Sequence, residues 1–136
     1  MNVNILVTGA LYSSQSAYSA LRFCQAAVAA GHSISQVFFY QDGVTQANLY
    51  SLPLDDEFDA VSNWVRFSQQ TSTPLVVCVS AGERRGLMSD EQVLEHHLGR
   101  SSAIDINGSA HSQFSVAGLG VLHQASLDSE RMVTFK

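Results

Sequence analysis

The sequence predicts a single α/β domain over residues 1–136, in three α/β/α layers around a mostly parallel sheet of four to five strands. Three observations predict it: short β-branched runs that suit strands buried on both faces, amphipathic helical stretches alternating with them, and Gly- or Asp-bearing turn signals at the junctions. Strand–helix alternation implies right-handed crossovers and a sheet covered on both faces. A chain of 136 residues that is 46% hydrophobic is also long and apolar enough to bury one sizeable core.

In order, "NVNILVTG" packs Val3, Ile5, Leu6 and Val7 into a strand over 3–8 that ends at Thr8-Gly9. From Ser14 to Ala30 the apolar positions Ala17, Leu21, Cys24, Ala27 and Val28 recur every three or four residues before Gly31, which predicts an amphipathic helix. "ISQVFFY" at 34–40 is β-branched and aromatic and is closed by Asp42-Gly43, a second strand and its turn. After "SLPLDD", Asp55 or Asp56 is expected to cap a helix that turns Phe58, Val61, Trp64 and Val65 inward and runs to about Gln70. "PLVVCVS" at 74–80 is the third strand, and Ser89 and Gln92 have capping-box spacing ahead of a short helix. Residues 99–113 are small, polar and Gly-bearing, a loop of the kind that carries function. In "FSVAGLGVLHQASL", Phe114, Leu119, Leu122 and Ala125 have helical spacing, and "RMVTF" is the last strand.

Charge and composition exclude several classes. A formal net charge of -5 supplies no basic field for direct nucleic-acid binding. No run approaches the length of a membrane span, and "MNVNILVTG" lacks the basic-then-apolar order of an export signal, so a cytoplasmic protein is expected. Only Cys24 and Cys78 are present, expected as free thiols.

The chemistry centres on "PLVVCVSAGERRG". Reactive groups of open parallel sheets gather at the carboxyl ends of strands, where Cys78 stands. Nearby cations lower a thiol pKa, and Arg84 and Arg85 are candidates; Val79-Ser80-Ala81-Gly82 adds little bulk, so close approach to the sulfur is expected. Packing of Cys78 as a small hydrophobe is the bland reading. Cys78 and Arg84 also have the C-x5-R spacing with which some phosphatases and arsenate reductases cradle an oxyanion, although a second arginine follows where a hydroxyl is usual. Cys24, on the apolar stripe of the first helix, is expected to be core. "TGALYSSQ" has the position of a phosphate-cradling loop without its glycine or lysine signature. The five histidines are scattered apart from His96-His97, no metal site or cofactor is expected, and the carboxylates of Asp55, Asp56, Glu57 and Asp59 suit a solvated helix start.

Five pieces in order, "TG..Y..Q" at 8–15, "VFFY..GV" at 37–44, "DEFD" before a Trp-bearing helix, "CV.A..RRG" at 78–86 and "GLG.L..AS" at 118–126, resemble the TusD/DsrE family of sulfur-relay proteins nearly end to end. The chain departs from relatives at "YSSQ", where glycine often follows the tyrosine, and at Gly82-Glu83, where Glu83 offsets the cationic field at Cys78. The resemblance implies a DsrE-like fold and a sulfurtransferase in which Cys78 is the persulfide carrier. It implies a heterohexamer with TusB-like and TusC-like subunits, a TusA-like sulfur donor and a TusE-like acceptor, the sulfur ending in wobble 2-thiouridine of tRNA through a separate tRNA-binding enzyme. The same motifs serve DsrE-type sulfur trafficking in sulfur oxidation.

Overall fold

The computed structural model describes residues 1–97 and 107–136. Its strands are β1 (Asn2–Val7), β2 (Ser33–Phe39), β3 (Leu75–Cys78), β4 (Phe114–Ala117) and β5 (Arg131–Phe135), all parallel, in the order β4-β3-β2-β1-β5. The helices are α1 (Ser16–Ala29), α2 (Ala60–Thr71), α3 (Val79–Glu83), α4 (Asp90–His97) and α5 (Leu119–Asp128), with a 3-10 helix over Gln41–Ala47. The α/β expectation holds, with every strand parallel.

The strand order explains the layers. The chain steps from β1 to β2 to β3 to β4 in one direction, then returns across the sheet to pair β5 with the other edge of β1. With right-handed crossovers the early helices share one face, and the helix on the returning connection lies on the other. Accordingly α1 packs on α2, while α5 lies against β2. The α1/α2 face carries Val37 and Phe39 with their ladder partners Leu75 and Val77; Phe39 meets Trp64 edge-on at 5.4 Å between centroids, and Trp64 meets Phe67 at 6.2 Å. Such aromatic pairs add about 0.5–1.5 kcal/mol each beyond area burial. Because side chains alternate along a strand, Val76 and Cys78 point to the α5 face instead.

Two expectations are corrected. Asp59, not Asp55 or Asp56, caps α2, its Oδ1 accepting from the Ser62 N–H at 3.2 Å. Phe114 is not helical: "FSVA" forms β4 in register with "LVVC" of β3, and α5 begins only after Gly118. Long-range pairing outweighs the local periodicity there. The capping box is present, Gln92 Oε1 accepting from Ser89 N at 2.9 Å and Ser89 Oγ from Gln92 N at 3.3 Å. Of the loop expected at 99–113, residues 99–106 lie outside the described residues.

The carboxyl ends of β1 and β2 are locked by the turn that follows β2. Tyr40 N–H donates to the Val7 carbonyl at 2.9 Å, and Gly43 N–H donates to the Tyr40 carbonyl at 3.0 Å. Gly43 rests so closely on the Val7 carbonyl that a Cβ would collide with backbone. Gly43→Ala is therefore expected to destabilise the chain by on the order of 3 kcal/mol, read as a lowered urea midpoint with unchanged slope; an unaltered midpoint would refute this packing.

Candidate active site around Cys78

Cys78 is the last residue of β3 and, in extended geometry (φ -62, ψ 125), the N-cap of α3. Its ladder partner is Ala117 at the end of β4, and its Sγ lies 3.6 Å from Ser80 Oγ. The thiol therefore stands at the carboxyl mouth of the sheet, as its sequence position predicts. The expected accessibility is not found: Cys78 is 1% exposed. The small residues after it serve packing, because Ala81 and Gly82 are themselves buried and the space of a Gly82 side chain is taken by the Leu87 carbonyl, 2.5 Å from where a Cβ would stand.

The winding of 79–83 into α3 also bears on the C-x5-R reading. An oxyanion cradle needs an open loop whose N–H groups converge on one centre. Here the residues between Cys78 and Arg84 are helical, and the N–H groups that follow are turned inward, Arg84 to the Ser80 carbonyl at 3.2 Å and Arg85 to the Gly82 carbonyl at 3.0 Å. The open loop that this reading requires is not formed.

The neighbouring charges are differently deployed. Arg85 Nε donates to Asp42 Oδ1 at 2.9 Å, and its Nη1 donates to the Ala81 carbonyl at 3.1 Å. Arg84 is exposed and, among the described residues, makes no ion pair. Glu83 is turned toward α4, where its Oε1 meets His96 Nε2 at 2.9 Å and accepts from Gln92 Nε2 at 3.2 Å. The carboxylate expected to offset the arginines is thus held by α4.

The hydrogen bond from His96 foremost, with those of Gln92 and the His96 charge, holds the Glu83 carboxyl below its ordinary value of 4.5 against the opposing pull of desolvation. A carboxyl that titrates lower when folded stabilises the fold fully above its unfolded pKa, and that contribution is lost as pH falls through the folded value. The difference in melting temperature between the wild type and Glu83→Gln is therefore expected to be fully present above the ordinary carboxyl value of 4.5 and to shrink as pH falls below it. A difference that stays constant from neutral pH to pH 3 would sink this account.

The other candidates are structural. Cys24 lies on α1, 0% exposed, and burial pushes its thiol up to about 12. In and just after "TGALYSSQ" several polar groups are engaged internally: Ser14 Oγ donates to the Ala10 carbonyl and Ser16 Oγ, while the Gly9 carbonyl and Ser16 Oγ accept from Gln46 Nε2. Of the acidic cluster, Asp59 caps α2 and Glu57 Oε1 accepts from the Leu54 N–H at 3.0 Å. The structure adds two residues to the Cys78 neighbourhood that sequence reasoning missed, Ser80 and the Arg85 partner Asp42. The latter lies 43 residues away in sequence, and no local signal links the two.

Known proteins match this chain along its whole length. It is 41% identical over 135 residues to the protein named Sulfurtransferase TusD of Enterobacter sp. (strain 638), covering 99% of this chain and 100% of that one. It is 40% identical over 131 residues to Sulfurtransferase TusD of Serratia proteamaculans (strain 568), covering 96% of each. It is 38% identical over 135 residues to the Sulfurtransferase TusD homolog of Vibrio parahaemolyticus serotype O3:K6 (strain RIMD 2210633), covering 99% and 98%. The crystal structure of the ychN protein from E. coli shares the fold, with a TM-score of 0.74 over 99% of both chains at 18% identity. With the thiol at the strand mouth, the all-parallel sheet and the match of residues 1–135 to that family's pattern, the chain belongs to the DsrE/DsrF-like family.

Proposed function

We propose that the chain is the sulfur-carrying subunit of a sulfur relay and that Cys78 holds the cargo as a persulfide. The Cys78 thiolate attacks the terminal sulfur of a donor persulfide; the new S–S bond forms on Cys78, the donor's S–S bond breaks, and the donor leaves as a thiolate. The sulfane sulfur moves without net oxidation or reduction. The reverse geometry delivers it to an acceptor thiol, and no cofactor takes part. The observation that carries the reading is a cysteine at the strand mouth in a chain aligned end to end with three proteins named as sulfurtransferases.

Because those relatives bear the TusD name, the reading extends to a TusA-like donor, a TusE-like acceptor and wobble 2-thiouridine in tRNA as the destination. Net charge -5 suits a carrier that leaves tRNA binding to another protein. A heterohexamer with TusB-like and TusC-like subunits is supported by the surface: α5 buries none of its residues, and Leu119, Val121, Leu127 and Met132 on α5 and β5 are exposed. The closed thiol adds a requirement, since transfer demands that the junction open. The loosely packed α5 is the element suited to yield, because it leaves the sheet two residues after Ala117, the ladder partner of Cys78.

Incubation of the purified chain with a persulfidated TusA-like protein, followed by peptide mass spectrometry, is expected to find one added sulfur atom on the peptide holding Cys78. Absence of the adduct under conditions that load the donor would overturn the reading.

A further inference from the structure

We propose that Arg84 is a docking residue that seats an acidic side chain lying beside the cysteine of the protein exchanging sulfur with Cys78. The proposal rests on the sulfur-carrier reading and adds the partner's local chemistry to it. A pocket of about 260 Å³ is lined by Tyr40, Gln41, Ser80, Ala81, Arg84 and Arg85, with the buried Cys78 thiol behind its lining. Ser80 joins the two, facing the pocket while its Oγ lies 3.6 Å from Cys78 Sγ.

Charge accounting singles out Arg84. Arg85 is neutralised by Asp42 at 2.9 Å and fixed by the Ala81 carbonyl, so it forms a wall of the pocket. Glu83, the nearest carboxylate in sequence, is taken by His96 and Gln92 of α4. Arg84 remains, exposed at the pocket and outside both ion pairs found among the described residues.

The occupant's class follows from magnitude. One exposed guanidinium holds a free small anion by no more than about 1 kcal/mol, too little for a ligand site. Within a protein encounter the same charge acts on orientation and association rate, where rim charges have their effect. The chain's net charge of -5 repels acidic partners in general. An acidic partner is therefore accepted only in the orientation that brings its carboxylate to Arg84, which also brings its cysteine to the mouth holding Cys78. The spot thus selects a register as well as a sign.

The test uses three synthetic persulfide donors: a cysteine peptide flanked by Asp residues, the same peptide flanked by Lys residues, and N-acetylcysteine amide, uncharged outside its persulfide. The acidic peptide is expected to load Cys78 about ten-fold faster than the basic one at low salt, the gap narrowing at about 0.5 M salt. Arg84→Glu should abolish the preference while leaving loading by the uncharged donor within about two-fold, and Arg84→Lys should retain most of it. Equal rates for the two peptides, or an equal slowing of all three donors by Arg84→Glu, would overturn the docking role. Failure of every donor to load the wild-type thiol would instead remove the carrier reading, and this proposal with it.

Discussion

Cys78→Ser is expected to abolish sulfur loading outright, because the hydroxyl that replaces the thiol cannot form the S–S bond in which the cargo is carried. The loss should be complete in single-turnover transfer from a persulfidated donor. The substitution also has a structural cost: at 1% exposure the new hydroxyl enters a covered site, at about 1–3 kcal/mol. Ser80 Oγ, 3.6 Å from the sulfur, offers a partner that keeps the cost toward the lower end. Activity and stability must therefore be measured on the same samples. Cys24→Ser is the matched control, since Cys24 is equally buried and burial holds its thiol near 12. Its thiolate fraction at neutral pH is about one part in a hundred thousand, so transfer should continue while the melting temperature falls. Normal loading of Cys78→Ser, or loss of loading in Cys24→Ser with an unchanged melting curve, would reassign the carrier.

The closed thiol marks the boundary between what sequence carries and what packing decides. The position of Cys78 at a strand's carboxyl end was legible, because "PLVVC" has the β-branched run and the register that β3 shows. Its exposure was not, because small residues such as Ala81 and Gly82 serve an open path and close packing alike, and the structure buries both. Phe114 shows the same limit in the fold. Its helical spacing with Leu119, Leu122 and Ala125 is real, yet pairing with Leu75, 39 positions earlier in the chain, claims it for the sheet. At α2 four carboxylates compete for one cap; Glu57 is spent on the Leu54 turn, leaving Asp59 to receive Ser62 N–H. The partner of Arg85 is set by the 3-10 turn after β2, a tertiary juxtaposition that no spacing encodes.

Gln46→Leu is the second substitution with a large expected effect, in stability rather than transfer. Gln46 lies in the 3-10 helix, 0% exposed, and every polar atom of its side chain is engaged. Its Nε2 donates to the Gly9 carbonyl at 2.9 Å and to Ser16 Oγ at 3.1 Å, while its Oε1 accepts from the Trp64 indole N–H at 2.9 Å. One side chain thus ties the segment after β1, the start of α1 and the core of α2 to the turn after β2. Leucine fills a similar volume but leaves the indole donor and the Gly9 carbonyl buried without partners, at about 1–3 kcal/mol each, so about 3–5 kcal/mol is expected in all. That is a large fraction of the roughly 5–15 kcal/mol that holds a domain of this kind together. The network, rather than leucine's shape, is isolated by adding Trp64→Phe, which removes the orphaned donor. The double variant should then be more stable than the sum of the single losses predicts, by about 1–2 kcal/mol in urea denaturation. Strict additivity would mean that the indole and the amide stabilise the core independently, and the tie between the two ends of the sheet's mouth would have to lie elsewhere.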